Sequence, residues 1–572
     1  MKILLPYLKP YKGKLIVIGL MYAISTFAML FMPKIMSEII TNGVAKMDTG
    51  YIFRYGAVMF GLALVALICA VVTTRINAVV STGFTAELRK DIFKKVNSLT
   101  FEEFSSQGTA SLMTRSTDDT WMLQEVAATL VYCIVVTPIL FIGGIVLTFL
   151  ADWVLAVIML GISPVVLFLI WLITRRMFSL WDNSEKYCDL QNKVMRERLS
   201  GLRVIRSFDK EQHEHGRVKH ATEEMADNII KANVLSGYVN PVSALLLNMA
   251  TVVILYLGTE RIQMSSILTA GDIVATIQYI ALIMNGLMTV SMVFMFFPQV
   301  KVAVRRIGEI FALEGTEKND EEAKELSGDV VLDKVTFFYP GASNPSLKDI
   351  GLNIKRGEIV GIIGGTGAGK TTLMKLLMGF YKPTQGDLLI GGESVCGLSQ
   401  GVIRQNVSIA LQKAAIFQGT IEYNIKMGKE SATDEEVAAV SDIAQLKELV
   451  SGNKEGLKHE LTQAGANISG GQKQRINIAR AIIKDASVYI FDDSFSALDY
   501  LTEARLRKRL NKYLAGKTQI IVTQRAATAM RCDKVYVLDK GEVVGSGKHA
   551  DLIKTCPIYK EIYSSQLGGT NG

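Results

Sequence analysis

The sequence predicts a multi-domain membrane protein, an all-α six-helix transmembrane domain with long cytoplasmic helical arms followed by an α/β domain. Three observations carry that prediction. Six long stretches contain no Asp, Glu, Lys or Arg, the texture changes near Asp329 to short β-type runs separated by helical patterns, and a glycine-rich loop closes one of those runs. At 572 residues the chain exceeds the ~250 to 300 at which a single core stops growing, so at least two domains are required. Hydrophobic residues make up 49% and charged residues only 20%, a balance that excludes disorder. Six cysteines (Cys69, Cys133, Cys188, Cys396, Cys532 and Cys556) show no paired spacing and are expected to be reduced and structural.

The apolar stretches are Leu15 to Met32, Tyr55 to Thr74, Val126 to Ala151, Trp153 to Thr174, Ala232 to Thr259 and Ile273 to Gln299. Each can cross a bilayer, which takes ~20 apolar helical residues. Buried helices of a soluble protein would show polar faces at a 3.6-residue period, whereas these are apolar nearly all round. The first is too long for a signal peptide, and Pro33-Lys34 follows it in place of a small-residue cleavage site. Lys and Arg in the connections set the orientation, because they are held on the cytoplasmic side. Arg75 to Glu125 carries six and Arg175 to Lys231 twelve, against three, none and one in the alternate connections. Both termini are therefore expected on the cytoplasmic side of the plasma membrane. The net charge of +8 then lies where a bilayer places it, and no nucleic-acid partner is needed to explain it. The two basic connections, about 50 to 57 residues long, are too long for structureless loops and are expected to form helical arms. The segments Gly108 to Asp119 and Arg206 to Glu211 fall near their tips, where a solvated helix face would look the same.

Glu314 to Gly328 is polar and charge-dense, which is how a linker reads. The expected division is a transmembrane domain at 1–308, a linker at 309–328, a nucleotide-binding domain at 329–566 and a tail at 567–572. Ile359 to Ile363 and Val488 to Phe491 read as buried parallel strands. Gly364-Gly365-Thr366-Gly367-Ala368-Gly369-Lys370-Thr371-Thr372 follows the first and opens a helical run, the context of a phosphate-binding P-loop. Its glycines let backbone N–H groups approach phosphate, Lys370 reaches the terminal phosphates, and Thr371 can ligate Mg²⁺. The second strand ends in Asp492-Asp493, which sets a carboxylate where such sites hold their metal. Between them, Ser469-Gly470-Gly471-Gln472 opens a helix and forms a second anion-binding terminus. One nucleotide does not need two such termini from one chain, so this one is expected to serve a nucleotide held by a second chain; a simple N-cap by Ser469 is the plainer alternative.

In this order the P-loop, Gln412 after a short strand, Ser469 to Gln472, Asp492 and Ser496-Ala497-Leu498-Asp499 resemble the ABC transporter ATPase domain. With six spans ahead of them, the whole chain resembles an ABC exporter half-transporter, so the second domain is expected to be an α/β P-loop ABC ATPase domain using ATP and Mg²⁺. The resemblance implies that Tyr339 stacks on adenine and that Gln412 senses Mg²⁺ and couples to the membrane helices. It also implies that Ser469 to Gln472 clasp a partner's ATP and that Asp499 joins the two sites. The arm segments near Arg115 and Arg206 become coupling helices resting on the ATPase domains.

Two residues depart from the family pattern. A Glu normally follows Asp492 as general base, and Asp493 is one methylene shorter; a misplacement of ~1 Å can cost ~100-fold in rate. The switch histidine is replaced by Gln524, which offers neither the charge nor the proton of imidazole. Together they resemble the degenerate-site subunit of bacterial heterodimeric multidrug exporters. The resemblance implies a non-identical partner with a working Glu and His and an altered signature segment. The absence of Asp, Glu, Lys and Arg from the spans favours hydrophobic small-molecule cargo. Met284, Met288, Met292, Phe294, Met295, Phe296 and Phe297 in the last span suit a surface accepting several shapes, or equally ordinary lipid-facing packing. Asn248, Gln278 and Asn285 are expected to bond between helices, the alternative being that they face a cavity. Lipid, peptide or siderophore export remains open, with an N-terminal peptidase domain not expected. An ATP-gated channel or regulatory subunit is a further alternative, and import is the least expected.

Overall fold

A computed structural model describes residues 4–264, 268–315 and 324–567. It divides into two units, one of residues up to Asn97 with Thr109–Leu313, the other of Ser98–Gly108 with the residues from Glu314 on.

In the first unit each uncharged stretch is helical, because a backbone surrounded by hydrocarbon satisfies its N–H and C=O groups only internally. The helices are Lys12–Glu38, Thr49–Asn97, Asp118–Ala151, Trp153–Ser200, the pair Glu211–Gly237 and Val239–Met264, and Ala270–Ala312. Among the described residues, six helical segments are long and apolar enough to cross a membrane. Thr49–Asn97 runs for 49 residues and Trp153–Ser200 for 48. At 1.5 Å per residue each is roughly 70 Å long against a hydrocarbon core of ~30 Å, so the basic connections are continuations of the spans. Leu30, Leu140, Leu155, Met159, Ile254, Tyr279 and Ile283 are buried where the helices meet. Asp152 alone separates two helices, accepting from the Val154 and Leu155 N–H groups at 2.8 and 3.2 Å and pairing with Arg261 at 2.7 Å.

Three details differ from the sequence expectation. The fifth stretch breaks at Tyr238, because Pro241 lacks the N–H that would bond the Gly237 carbonyl. The last helix continues to Ala312, past the expected boundary at 308, since Ile307 and Ile310 still find apolar cover and are buried. The first arm segment falls in two parts. Thr109–Ser116 belongs with the membrane helices, where Arg115 donates to the Arg306 carbonyl at 3.0 Å and pairs with Glu309 at 3.2 Å. The stretch that joins the second unit is instead Ser98–Gly108, carrying the helix Phe101–Gln107. In the last span Met284 is buried; the side chains of Met292, Phe294, Met295 and Phe297 lie outside the described residues.

The second unit contains strands β1 (Val330–Phe337), β2 (Leu347–Ile354), β3 (Ile359–Gly364), β4 (Gln385–Ile390), β5 (Glu393–Ser394), β6 (Val407–Ala410), β7 (Gly419–Thr420), β8 (Glu460–Leu461), β9 (Val488–Asp492), β10 (Thr518–Thr523), β11 (Lys534–Asp539) and β12 (Glu542–Gly547). The main sheet has the order β12-β11-β3-β10-β9-β6 and is parallel except at the β11/β12 edge. A second, antiparallel sheet has the order β2-β1-β4-β5, and β7 pairs with β8. Successive residues of the main strands feed opposite cores, Ile363, Phe491 and Ile521 on one face and Ile362, Ile490 and Ile520 on the other. Burial on both faces is why these strands read as continuous apolar runs.

Candidate nucleotide site

The sheet order brings together residues far apart in sequence. Parallel strands point their carboxyl ends the same way, and a ligand crevice forms beyond those ends. At this edge β3 ends in Gly364, β9 in Asp492 and β10 in Thr523, with Ile363 paired to Thr523 and Val522 to Asp492. Strand β6 ends beside them at Ala410, paired with Phe491. The loops leaving these four ends carry the P-loop, Asp493, Gln524 and Gln412.

These loops enclose a cavity of ≈ 590 Å³ lined by Thr366 to Thr372, Gln412, Asp492, Asp493 and Gln524, together with Ser346, Thr523 and Lys540. Three glycines of the P-loop are obligatory, Gly367 by its φ of +83° and two others. A Cβ on Gly364 would lie 2.3 Å from the Leu538 carbonyl oxygen, and Gly369 has φ +98° at the turn into the helix Lys370–Leu377. Lys370 Nζ donates to the Gly364 and Gly365 carbonyls at 2.9 and 2.7 Å, which holds the amine at the loop. Burial lowers its pKa while Asp492 and Asp493 oppose that shift. Burial likewise raises the pKa of Asp492, reinforced by Asp493 and opposed by Lys370. For Asp493 burial again dominates, with Ser496, Arg525 and Lys370 favouring the charged form. The site thus holds two carboxylates and one amine at the expense of their hydration, an arrangement that a polyphosphate with a divalent cation would complete.

Asp493 occupies the left-handed region at φ +44° and its N–H donates to the Val522 carbonyl at 2.9 Å. Its backbone is therefore tied to β10. Gln412 is positioned from the next loop, where Gln474 and Asn477 both donate to the Leu411 carbonyl, at 3.0 and 2.8 Å. Thr371, Gln412 and Asp492 supply hydroxyl, amide and carboxylate oxygens to one cavity, the hard donor set that Mg²⁺ accepts alongside phosphate oxygens and water. The residues present therefore fit a magnesium nucleotide.

Tyr339 stands beside the cavity, its hydroxyl 3.1 Å from Thr372 Oγ1. It meets Tyr381 edge to face at 5.5 Å, and Tyr381 meets Phe101 of the Ser98–Gly108 segment at 5.7 Å. Phe101 also stacks on Phe380 at 4.8 Å, and Lys375 lies over the Phe101, Tyr339 and Tyr381 rings at 5.7, 5.4 and 5.8 Å. Ser469 to Gln472 and Asp499 do not line the cavity. Ser469 caps the helix Gly470–Ile482, accepting from the Gln472 N–H at 3.3 Å while Gln472 accepts from the Ser469 N–H at 2.8 Å. Asp499 caps Tyr500–Tyr513 through the Thr502 N–H at 2.9 Å. Ser469 is thus the N-cap of its helix, and none of Ser469 to Gln472 lines the nucleotide cavity of this chain.

Sequence reasoning missed Ser346, Lys540, Gln474, Asn477 and Arg525. Arg525 donates to the Ser496 carbonyl at 2.6 Å and pairs with Glu503 at 3.7 Å, tying the end of β10 to the loop after Asp493. Its place next to Gln524 was the available signal.

Residues 15–288 match the family of ABC transporter transmembrane regions, and residues 347–496 match the ABC transporter family. An uncharacterised ABC transporter ATP-binding protein of Mycobacterium tuberculosis is 32% identical, over 99% of this chain and 98% of that protein. One from Bacillus subtilis is also 32% identical over the same shares. An ATP-dependent lipid A-core flippase of Chromobacterium violaceum is 26% identical over 99% of this chain and 97% of the flippase. The fold is that of a bacterial Atm1-family ABC exporter solved with ATP bound, with TM-score 0.80, 23% identity and 99% of each chain covered. Membrane helices fused ahead of a P-loop ATPase unit, matched end to end by such relatives, make this chain a member of the ABC transporter family, an ATP-hydrolysing half-transporter of exporter fold.

Proposed function

We propose that the chain is one subunit of a heterodimeric exporter that moves amphipathic or hydrophobic compounds across the plasma membrane, with its ATPase unit on the cytoplasmic side. Its own site binds Mg²⁺-ATP and hydrolyses it slowly, and Ser469 to Gln472 complete the competent site of a non-identical partner. The observation that carries this reading is that Asp493 and Gln524 line the same cavity as Lys370. Both positions that would handle the attacking water and the terminal phosphate are altered, while the residues that bind are retained. Because the Asp493 backbone is tied to Val522, it has little freedom to advance and recover the missing methylene. In this reading Tyr339 stacks on the base, the P-loop and Lys370 hold the phosphates, and Thr371, Gln412 and Asp492 hold Mg²⁺. Asp493 is a short general base, and Gln524 bonds the terminal phosphate. ATP clasps two ATPase units together, and the movement reaches the helices through the arms.

The uncharged spans support apolar cargo. Lipid is favoured within that class by the flippase relative. The deciding experiment is to purify the full chain alone and with the half-transporter that co-purifies from native membranes, and to compare ATP turnover and ATP-driven dye or lipid movement. The pair should turn over at least about tenfold faster, a difference of ~1.4 kcal/mol in barrier. Brisk turnover by the chain alone would replace the heterodimer with a self-paired transporter.

A further inference from the structure

The helix Pro557–Leu567 ends beside the tip of β10. Tyr559, on its first turn, is fully buried, and its hydroxyl lies 2.8 Å from His549 Nδ1. Ile558 and Ile562 pack on the core beneath the main sheet. With the helix fixed at that end, Gln566 in its last turn reaches the switch segment. Its Nε2 donates to the Gln524 carbonyl at 2.8 Å, and its Oε1 accepts from the Ala526 N–H at 2.8 Å. One side-chain amide therefore bonds the C=O before Arg525 and the N–H after it. A residue on a neighbouring parallel strand bonds in this same pattern, so Gln566 extends the ladder one step past the end of β10. Only one orientation of the amide satisfies both contacts, since the two backbone partners are a fixed acceptor and a fixed donor. The Arg525 N–H is occupied separately, donating to Thr523 Oγ1 at 3.0 Å.

We propose that Gln566 is a positioning residue for Gln524, fixing the peptide at the end of β10 so that the Gln524 side chain faces the terminal phosphate, and thereby making the C-terminal helix part of the ATP-sensing apparatus. The inference rests on the reading of Gln524 as the terminal-phosphate contact. A glutamine at that position depends on being aimed more than a histidine would, because it offers a neutral hydrogen bond with a steep angular dependence and no long-range charge.

The test is equilibrium binding of Mg²⁺-ATP and Mg²⁺-ADP to the purified full chain, read by displacement of labelled ADP. In Gln566→Met, which keeps length and removes both polar atoms, ATP affinity should fall about three- to tenfold, the range of one lost hydrogen bond, while ADP stays within about twofold. Gln566→Glu should behave alike, because it sets an oxygen against the Gln524 carbonyl, and it serves if the first variant fails to fold. In a Gln524→Ala background Gln566→Met should change nothing further. Equal weakening of ATP and ADP, no change in either, or an additive loss in the double variant would each overturn the proposal. If Gln524→Ala by itself leaves the ATP to ADP ratio unmoved, the reading of Gln524 fails and takes this inference with it. If Gln524→Ala lowers the ratio and Gln566→Met does not, only the role of Gln566 is lost.

Discussion

Gly364 is a residue whose identity is decided by space. A Cβ there would meet the Leu538 carbonyl oxygen at 2.3 Å and the Ala368 Cβ at 3.0 Å, and the first of these is backbone that has nowhere to go. Gly365, one residue on, has nothing within 4 Å of the same ideal position. Gly364→Ala should therefore cost about 2 to 4 kcal/mol of stability, and Gly365→Ala under about 1 kcal/mol, measured by thermal melting of the full chain. Both glycines were legible as P-loop members, but the sequence held no sign of which one was sterically obligatory, because Leu538 arrives from a strand more than 170 residues away. The same limit applies at Asp493. Its identity and its missing methylene were plain in the sequence, whereas its left-handed backbone and its tie to Val522 come from the pairing of β9 with β10. From those constraints, Asp493→Glu with Gln524→His in the assembled transporter should raise hydrolysis at this site only modestly, under about tenfold, if the signature segment facing it is defective. A gain near a hundredfold would mean that the facing segment is sound.

At the scale of elements, the helix Phe101–Gln107, and not Thr109–Ser116 after it, is the part of the first arm that groups with the second unit. Thr100 and Glu103 spell a capping box, and the box is formed: the Glu103 N–H donates to Thr100 Oγ1 at 3.2 Å and the Thr100 N–H to Glu103 Oε2 at 2.9 Å. What could not be read was the destination of Phe101, since its partners Phe380 and Tyr381 follow a different helix almost 280 residues on. Phe101→Ala removes one stack and one edge contact, worth about 0.5 to 1.5 kcal/mol each beyond buried area. It should leave ATP binding within about twofold while amide exchange in residues 98–108 accelerates and ATP-driven transport falls. Glu103 adds a pH dependence. Its burial opposes ionisation, but the N–H groups of Thr100 and Gly315 and the Thr100 hydroxyl outweigh that and hold its pKa below 4.5. The folded pKa is depressed, so the stabilisation is fully present above the ordinary value of 4.5 and is lost as pH falls through the lower, folded value. Exchange protection of residues 98–108 and of Gly315 should thus decline at acid pH in the parent. In Glu103→Gln it should be lower already at pH 7 and flat across that range. By contrast β3 and β9 were readable as strands from their apolar runs alone, while the placing of β10 between them was not, because strand order is a property of the whole sheet.

At the scale of the molecule, the division into a membrane unit and an ATPase unit was legible from hydropathy, since a bilayer and a two-faced sheet impose different patterns on the same residue types. The proposed assembly with a second chain rests on one sign in the sequence, the glycine-rich helix terminus at Ser469 to Gln472, which does not line this chain's own cavity. The structure turns that into a separable test. Ser469 caps Gly470–Ile482 and also stands at the helix terminus where a second chain's phosphate is proposed to sit. Aspartate caps a helix about as well as serine, so Ser469→Asp should keep the fold, with a melting temperature close to that of the parent. It also sets a full negative charge at the terminus, where a phosphate would be repelled. Because Ser469 lies outside the cavity of its own chain, Mg²⁺-ATP binding by the isolated chain should stay within about twofold, whereas turnover by the assembled transporter should fall at least about a hundredfold, the scale of losing a principal electrostatic contact to the reacting phosphate. If binding by the isolated chain falls in step with turnover, the terminus acts on its own P-loop and no second chain is needed. If turnover is unaffected, Ser469 is a helix cap and nothing more, and the competent site of the transporter must be completed by another segment.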